Sequence, residues 1–211
     1  MADKIDTSVE EEAIKDEARQ FMSEAVGSMM STEPIITGGE SCCSVDGAKI
    51  VKAWKSTFAA DADADADAAK DCDDDDDDDL SLMGKFWSKY YDSDATSIWT
   101  MVYDEAESNE NLHDTIEIVT NLMEQSGMSS MKDDCFAIVH TLESLEIEGL
   151  WFFNGPDPEK LFGANEETSW FSWSQLGPDA TDLVKEAVTK FMVVPIDGKL
   201  NGKVVKNTTV F

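Results

Sequence analysis

Cys135 and His140 are the residues whose types and spacing first suggest covalent chemistry in this sequence. A cysteine nucleophile needs a histidine base within hydrogen-bonding distance, about 2.6–3.2 Å. Both residues belong to a nearly continuous apolar run, Cys135–Leu142, which is typical of a central β-strand. At a spacing of five on a strand, their side chains point to opposite faces. The pair therefore cannot act as a local dyad, and we interpret Cys135 as a buried structural residue.

His113, the other histidine, lies at the start of a predicted helix and is interpreted as an ordinary surface residue. Zinc sites need three or four Cys or His ligands in a recognisable spacing. The cysteines Cys42, Cys43, Cys72 and Cys135 show neither that spacing nor a disulfide framework, so reduced thiols are expected. The sequence also lacks the GxxxxGK[ST] and GxGxxG motifs that bind phosphates. We predict no catalytic residue, no cofactor and no metal ion. An enzyme using Cys135 or His113 in an unrecognised arrangement is kept as an alternative hypothesis.

The net charge of −29 bears on the partners that the chain can have. Residues 1–79 carry 23 acidic and 7 basic side chains, and residues 80–211 carry 22 and 9. Such a field repels phosphate backbones and anionic lipid surfaces, so we expect no direct binding to nucleic acid or membrane. Basic proteins and cations are the expected partners. The first residues contain no apolar signal segment, and we expect a soluble, cytoplasmic protein.

Residues 1–58 are predicted to form an N-terminal helical extension. A first helix is predicted over residues 8–31, and residues 32–44 break it because they contain proline and paired glycines. A second apolar stripe follows at helical spacing, made by Ile50, Val51, Trp54 and Phe58. This second helix either docks a partner or packs on the downstream domain, and the sequence leaves both interpretations open.

Residues 59–79 are predicted to be a disordered acidic linker, because an alternating Ala-Asp run and seven consecutive aspartates repel one another and bury little apolar area. An EF-hand calcium loop needs a central Gly and a Glu at its twelfth position, and this run has neither. An acidic cation-binding or chaperone-like protein that works through residues 59–79 is a further alternative hypothesis.

Residues 80–211 are predicted to form the folded domain. Strands are predicted at residues 97–103, 135–142, 147–153 and 168–173, and the weakly alternating tail, residues 193–211, predicts a short edge strand. Helices are predicted at residues 80–91, 111–125 and 179–191. Gly127 is predicted to end the middle helix as its C-cap. The predicted inward faces are Leu112, Ile116, Val119 and Met123 on the middle helix, and Leu183, Val184, Ala187 and Phe191 on the last.

Residues 148–176 contain half of the six tryptophans. We interpret them as two strands of one sheet joined by a long loop, which together form a core hairpin, with Trp170 on one face and Phe171 and Trp173 on the other. Strands that follow one another without intervening helices favour antiparallel pairing. The predicted fold class is therefore α+β: an antiparallel sheet of about five strands flanked by helices, preceded by a helical and acidic disordered N-terminal arm.

Residues 80–211 contain a series of short motifs that are rich in aromatic and apolar residues. They are FW at 86–87, SIW at 97–99, CFAIV at 135–139, EGLWFFNG at 148–155, SWFSWSQL at 169–176 and GKLNGKV at 198–204. In order and spacing, this set resembles the C-terminal domain of the gamma subunit of eukaryotic translation elongation factor 1. Residues 1–79 do not resemble the glutathione-transferase-like N-terminal domain of that family.

The resemblance implies an α+β domain without catalytic residues. It leads us to expect a non-catalytic protein-interaction module associated with translation elongation. The expected partners are elongation-factor complex subunits or other basic proteins. Aromatic anchors dominate protein interfaces, so the candidate partner-binding residues are Trp54, Trp151, Trp170 and Trp173.

Overall fold

Two strands with apolar side chains on both faces lie at the centre of this computed structural model. All eight residues of one strand, Cys135–Leu142, are buried, as are six of the eight in the other, Ile147–Asn154. Strands of this kind need cover on both faces of the sheet. The structure describes residues 46–64, 81–193 and 198–211. The predicted helix at 8–31, the break at 32–44 and the acidic run 65–79 lie outside the described residues.

The described residues form a six-stranded antiparallel sheet with helices on both faces, so the predicted α+β fold is confirmed. The strands are β1 Thr96–Tyr103, β2 Cys135–Leu142, β3 Ile147–Asn154, β4 Phe171–Leu176, β5 Lys199–Leu200 and β6 Lys203–Val210. The helices are α1 Gly47–Ala64, α2 Leu82–Lys85, α3 Leu112–Glu124, α4 Met128–Met131, α5 Glu159–Ala164 and α6 Asp182–Met192. Helix α2 continues as a π-helical turn, Phe86–Tyr90, and 3-10 turns form at Ala106–Ser108 and Glu166–Trp170.

The strand order in the sheet is β4-β1-β3-β2-β6-β5. The two strands predicted within residues 148–176 do belong to one sheet, but the predicted hairpin is wrong, because β1 lies between β3 and β4 and pairs with both. The connection is long enough to cross β1, and it contains α5 and a 3-10 turn. That turn ends at Trp170, so β4 begins at Phe171 and not at Thr168 as predicted.

The tail of the chain contributes more to the sheet than the short edge strand that was predicted. Strand β6 has eight residues and pairs with β2 along the sheet interior, and the two-residue β5 forms the edge beyond it. Gly202, with a φ of 79°, lies in the turn between them. A glycine adopts this left-handed conformation at little cost.

One face of the sheet is covered by α1, the α2 segment and α6. Trp54 of α1 is fully buried, with its ring centroid 4.8 Å from that of Phe86 and 6.0 Å from that of Phe136 on β2. Helix α1 therefore packs on the domain, as one of the two interpretations predicted. It continues to Ala64, so the predicted boundary at residue 58 falls inside this helix and residues 59–64 are helical, not disordered.

The other face is covered by α3, α4 and α5. Helix α3 matches its predicted position, and Asn111 caps it by accepting a hydrogen bond from the Asp114 amide at 3.0 Å. Gly127 is not its C-cap: it has a φ of −69° and precedes α4. A Cβ at Gly127 would lie 1.8 Å from the Ala164 carbonyl oxygen, so the close approach of α5 requires glycine there.

The inward faces of two helices differ from the predicted stripes. Helix α3 buries Thr115, Val119 and Leu122, whereas Leu112, Ile116 and Met123 are only partly buried. Helix α6 begins at Asp182, leaves Leu183 55% exposed and buries Val188. Both stripes are rotated because the packing surface of the sheet, and not the sequence period alone, sets which side of a helix faces inward.

Replacement of Trp54 by alanine tests whether α1 belongs to the folded domain. Removal of a fully buried indole leaves a cavity, and we expect Trp54→Ala to lower the free energy of unfolding by about 3–5 kcal/mol in urea titrations. Lys52→Ala on the exposed side of α1 is the matched control and is expected to change it by less than about 0.5 kcal/mol. Equal effects of the two substitutions would contradict the packing of α1 on the sheet.

Candidate functional site

Cys135 and His140 lie on opposite faces of β2, as the sequence predicts. Cys135 packs among the residues covered by α3 and α4, and its Sγ atom is 3.5 Å from the Met131 carbonyl oxygen. Burial raises the pKa of the Cys135 thiol to about 12, so this thiol stays protonated at neutral pH. Such a cysteine is a structural residue and a poor nucleophile.

His140 is fully buried on the opposite face, beneath α6. Its Nε2 atom is 2.9 Å from the Phe191 carbonyl oxygen, which can only accept a hydrogen bond, so Nε2 carries a proton. In the neutral ring, Nδ1 then accepts from the Thr208 hydroxyl at 2.9 Å. The imidazole therefore links β2, β6 and the last turn of α6. His113, in contrast, is exposed, with its Nε2 atom 3.4 Å from Glu117 Oε1.

The four candidate tryptophans divide by exposure. Trp54 and Trp151 are fully buried, so neither presents surface to a partner in this fold. Trp170 is 53% exposed, the largest exposed fraction among the aromatic side chains of the described residues. Trp173 is half-buried, with its ring 5.5 Å from the Trp151 ring and 5.3 Å from the Phe162 ring. The candidate site is therefore the surface around Trp170 and Trp173.

An open groove of about 570 Å³ lies beside β4, and we call it the β4 groove. Its lining residues are Phe162, Glu166, Thr168, Ser169, Phe171 and Trp173. Trp170 comes between two of these lining residues in the chain. Phe162 is 40% exposed, whereas its neighbour Leu161 is buried in the core. Sequence reasoning missed Phe162, because a six-residue helix has too few positions to show which of two adjacent apolar residues faces solvent.

The loop that forms the wall of the β4 groove is held in place by Asn165, which is 1% exposed. Its side-chain amide donates to the Leu122 carbonyl at 2.8 Å, and its side-chain oxygen accepts from the Glu167 amide at 3.0 Å. The Thr168 hydroxyl donates to the Asn165 carbonyl at 2.7 Å, and the Trp173 indole donates to the Thr168 carbonyl at 3.1 Å. These bonds fix the groove before any partner arrives, which reduces the entropy lost on binding.

The surroundings of the β4 groove are acidic. Glu166 lines it directly. Burial raises the pKa of Tyr103, and the nearby carboxylates of Glu105 and Glu167 raise it further. The ring of Tyr103 lies 5.3 Å from that of the lining residue Phe171, so the negative field that acts on Tyr103 also reaches this end of the groove. An aromatic surface with this surrounding charge is complementary to cationic apolar groups.

Two further findings concern function. No group of three or more His, Cys, Asp and Glu side chains among the described residues is placed to hold a metal ion. Among the helices of those same residues, none has the length and hydrophobicity that a membrane span requires. Residues 65–79, the acidic run considered for cation binding, lie outside the described residues.

No protein-family model matches the chain, and no curated protein matches its sequence.

The buried position of His140 predicts a pH-dependent stability. Burial lowers the pKa of His140 below its usual 6.5, so the unfolded chain binds a proton more readily than the folded chain. The free energy of unfolding should therefore fall as the pH drops through about 6.5 toward the lower folded-state pKa, and this contribution should be constant at higher pH. In His140→Gln, the amide can still donate to Phe191 but does not titrate. Urea titrations at pH 7 and pH 5 should show that the free energy of unfolding falls less for His140→Gln than for the wild type. An equal fall in both proteins would refute the role of the buried His140 in this pH dependence.

Asn165 provides a test of how the groove is held. Asn165→Ala leaves the Leu122 carbonyl and the Glu167 amide without their partner, and we expect a loss of about 1–3 kcal/mol in the free energy of unfolding. The fluorescence of the tryptophans should also change, because Trp173 rests on the same loop. Asn121→Ala, on the exposed side of α3, is the matched control and should leave both properties unchanged. An unchanged Asn165→Ala variant would show that other contacts position the loop.

Proposed function

We propose that this chain is a non-catalytic protein-interaction module associated with translation elongation, and that it acts in the cytoplasm through basic protein partners. The resemblance to the gamma subunit of elongation factor 1 extends over residues 80–211. The α+β domain with an antiparallel sheet flanked by helices is the fold that this resemblance implies, which supports the proposal.

The observation that carries the proposal is the exposure of the β4 groove. Most of the shared motifs supply core residues: Phe86 and Ile98 are fully buried, and so are Trp151 and Phe152. Motifs of this kind argue for a common fold and say little about function. The SWFSWSQL segment is different, because three of its residues, Ser169, Phe171 and Trp173, line an exposed aromatic groove. Exposed aromatic surface beside a rigid loop is typical of a protein-binding site.

The geometry does not favour an enzyme that uses Cys135 or His113. The Cys135 thiol is buried, protonated and separated by the sheet from His140. His113 has an exposed side chain whose neighbour at 3.4 Å is a carboxylate on the same helix. A solvent-exposed histidine of this kind lacks the enclosed pocket that most active sites have.

Affinity purification of the full chain from a translation-active extract tests the proposal. We expect elongation-factor subunits to be enriched over a control bait of similar size and net charge, when the recovered proteins are quantified by mass spectrometry. Enrichment should decrease at high salt, because attraction between an acidic chain and basic partners is screened. Recovery of no elongation-factor or ribosomal component above the control would refute the association with translation.

A further inference from the structure

Strand β4 lies at the edge of the sheet, with β1 on one side. No strand of the described residues pairs with its other side. Natural edge strands usually carry charged residues or proline, which prevent the addition of another strand. The sequence of β4, FSWSQL, contains neither. This edge is therefore chemically open to an additional strand.

The pairing register shows which backbone groups face the open side. The Asp104 amide donates to the Trp170 carbonyl at 3.1 Å, and this pair continues the register that joins Val102 to Ser172. Hydrogen-bonded pairs alternate along an antiparallel ladder. The amide and carbonyl groups of Ser172, Ser174 and Leu176 therefore face β1. Those of Trp173 and Gln175 face away from β1, toward the open edge.

The side chains along this edge supply pockets for an added strand. Phe171 and Trp173 line the β4 groove, while Ser172 and Gln175 are exposed. Peptides that add to a sheet edge gain affinity from main-chain hydrogen bonds and specificity from pockets for alternate side chains. The open backbone groups of β4 and the adjacent aromatic groove provide both elements in one place.

The surrounding charge identifies the occupant. Glu166 lines the groove, and the charges of Glu105 and Glu167 act on Tyr103 beside it. Lys160, the one lysine or arginine between positions 133 and 184, is 3.4 Å from Asp134. Two copies of a chain with a net charge of −29 repel each other, which disfavours pairing of two β4 edges. We infer that β4 and its groove bind an extended partner segment in which lysine or arginine alternates with apolar residues, and that this segment adds as a further strand beside β4. The inference rests on the proposed protein-binding function and names the chemistry of the partner.

A labelled short peptide of alternating lysine and valine is the probe, and a peptide with glutamate in place of lysine is its control. Fluorescence polarisation with the full chain should show saturable binding of the lysine peptide and at least about tenfold weaker binding of the glutamate peptide.

The backbone contribution is tested at Gln175. Gln175→Pro removes an amide that points away from β1, so the β1–β4 ladder keeps its hydrogen bonds while the added strand loses one. Gln175→Thr retains the amide and is the matched control. We expect Gln175→Pro to weaken binding of the lysine peptide at least about tenfold, and Gln175→Thr to bind it like the wild type.

The groove is tested independently by substitutions that leave β4 unchanged. Phe162→Ser removes an exposed ring from the groove, and Leu183→Ser removes a similarly exposed apolar side chain from α6 on the other face of the sheet. Glu166→Gln removes a lining charge, and Glu186→Gln removes one from α6. We expect the two groove variants to weaken binding of the lysine peptide several-fold and the two α6 variants to leave it unchanged.

The inference is overturned if the lysine peptide binds Gln175→Pro, Phe162→Ser and Glu166→Gln as tightly as the wild type, or if the glutamate peptide binds equally well. It is also overturned if sedimentation shows a wild-type dimer that becomes monomeric in Gln175→Pro, because a second copy would then occupy the edge. Specific peptide binding without recovery of elongation components would refute the translation assignment alone. Recovery of those components by Gln175→Pro and Phe162→Ser at wild-type levels would refute this site alone.

Discussion

The burial of β2 and β3 on both faces is the constraint on which the rest of the structure depends. Neighbouring residues of β3 enter different cores: Phe152 contacts Phe86 at 5.1 Å on one face, and Trp151 and Phe153 stack at 5.8 Å on the other. Each fully buried apolar side chain contributes about 1.5–3 kcal/mol, so neither face can be left open to water. Segments distant in sequence must therefore meet over the sheet: α1 and α6 on one face, and α3 to α5 on the other.

The same constraint explains why the candidate site lies at β4. The helices bury all of β2 and most of β3, but their cover decreases toward the edge, where Phe171 and Leu176 are buried and Ser172 and Gln175 are exposed. The short helix α5 closes this side of the core with Leu161 and leaves Phe162 at the surface. Asn165 then ties the following loop to α3 through Leu122. The groove therefore forms because a helix of only six residues is too short to cover this aromatic part of the core completely.

The sequence predicted those parts of the fold that depend on local pattern. The apolar run Cys135–Leu142 matches β2 to the residue. A strand buried on both faces is recognisable from its continuous apolar run, whichever strands pair with it. The hairpin of residues 148–176 was wrong, because adjacency in sequence favours pairing of β3 with β4 and nothing local reveals that β1 inserts between them. Exposure of aromatic residues was equally hidden: Trp151 and Trp170 occur in similar aromatic runs, yet one is fully buried and the other 53% exposed. Only tertiary contacts separate a core tryptophan from a surface one.

Charge and shape have different roles at the β4 edge. An edge strand without charged residues can pair with any exposed strand, so proteins with such an edge are prone to self-association. Here the acids lie around the strand and not within it, and charges interact over a screening length of about 8 Å at physiological salt. The negative field opposes the approach of a second copy without occupying the backbone groups of Trp173 and Gln175. A cationic segment experiences the opposite force and reaches the same hydrogen-bonding groups. The field thereby selects the partner by its charge, and the aromatic groove and open backbone supply the contacts that hold it.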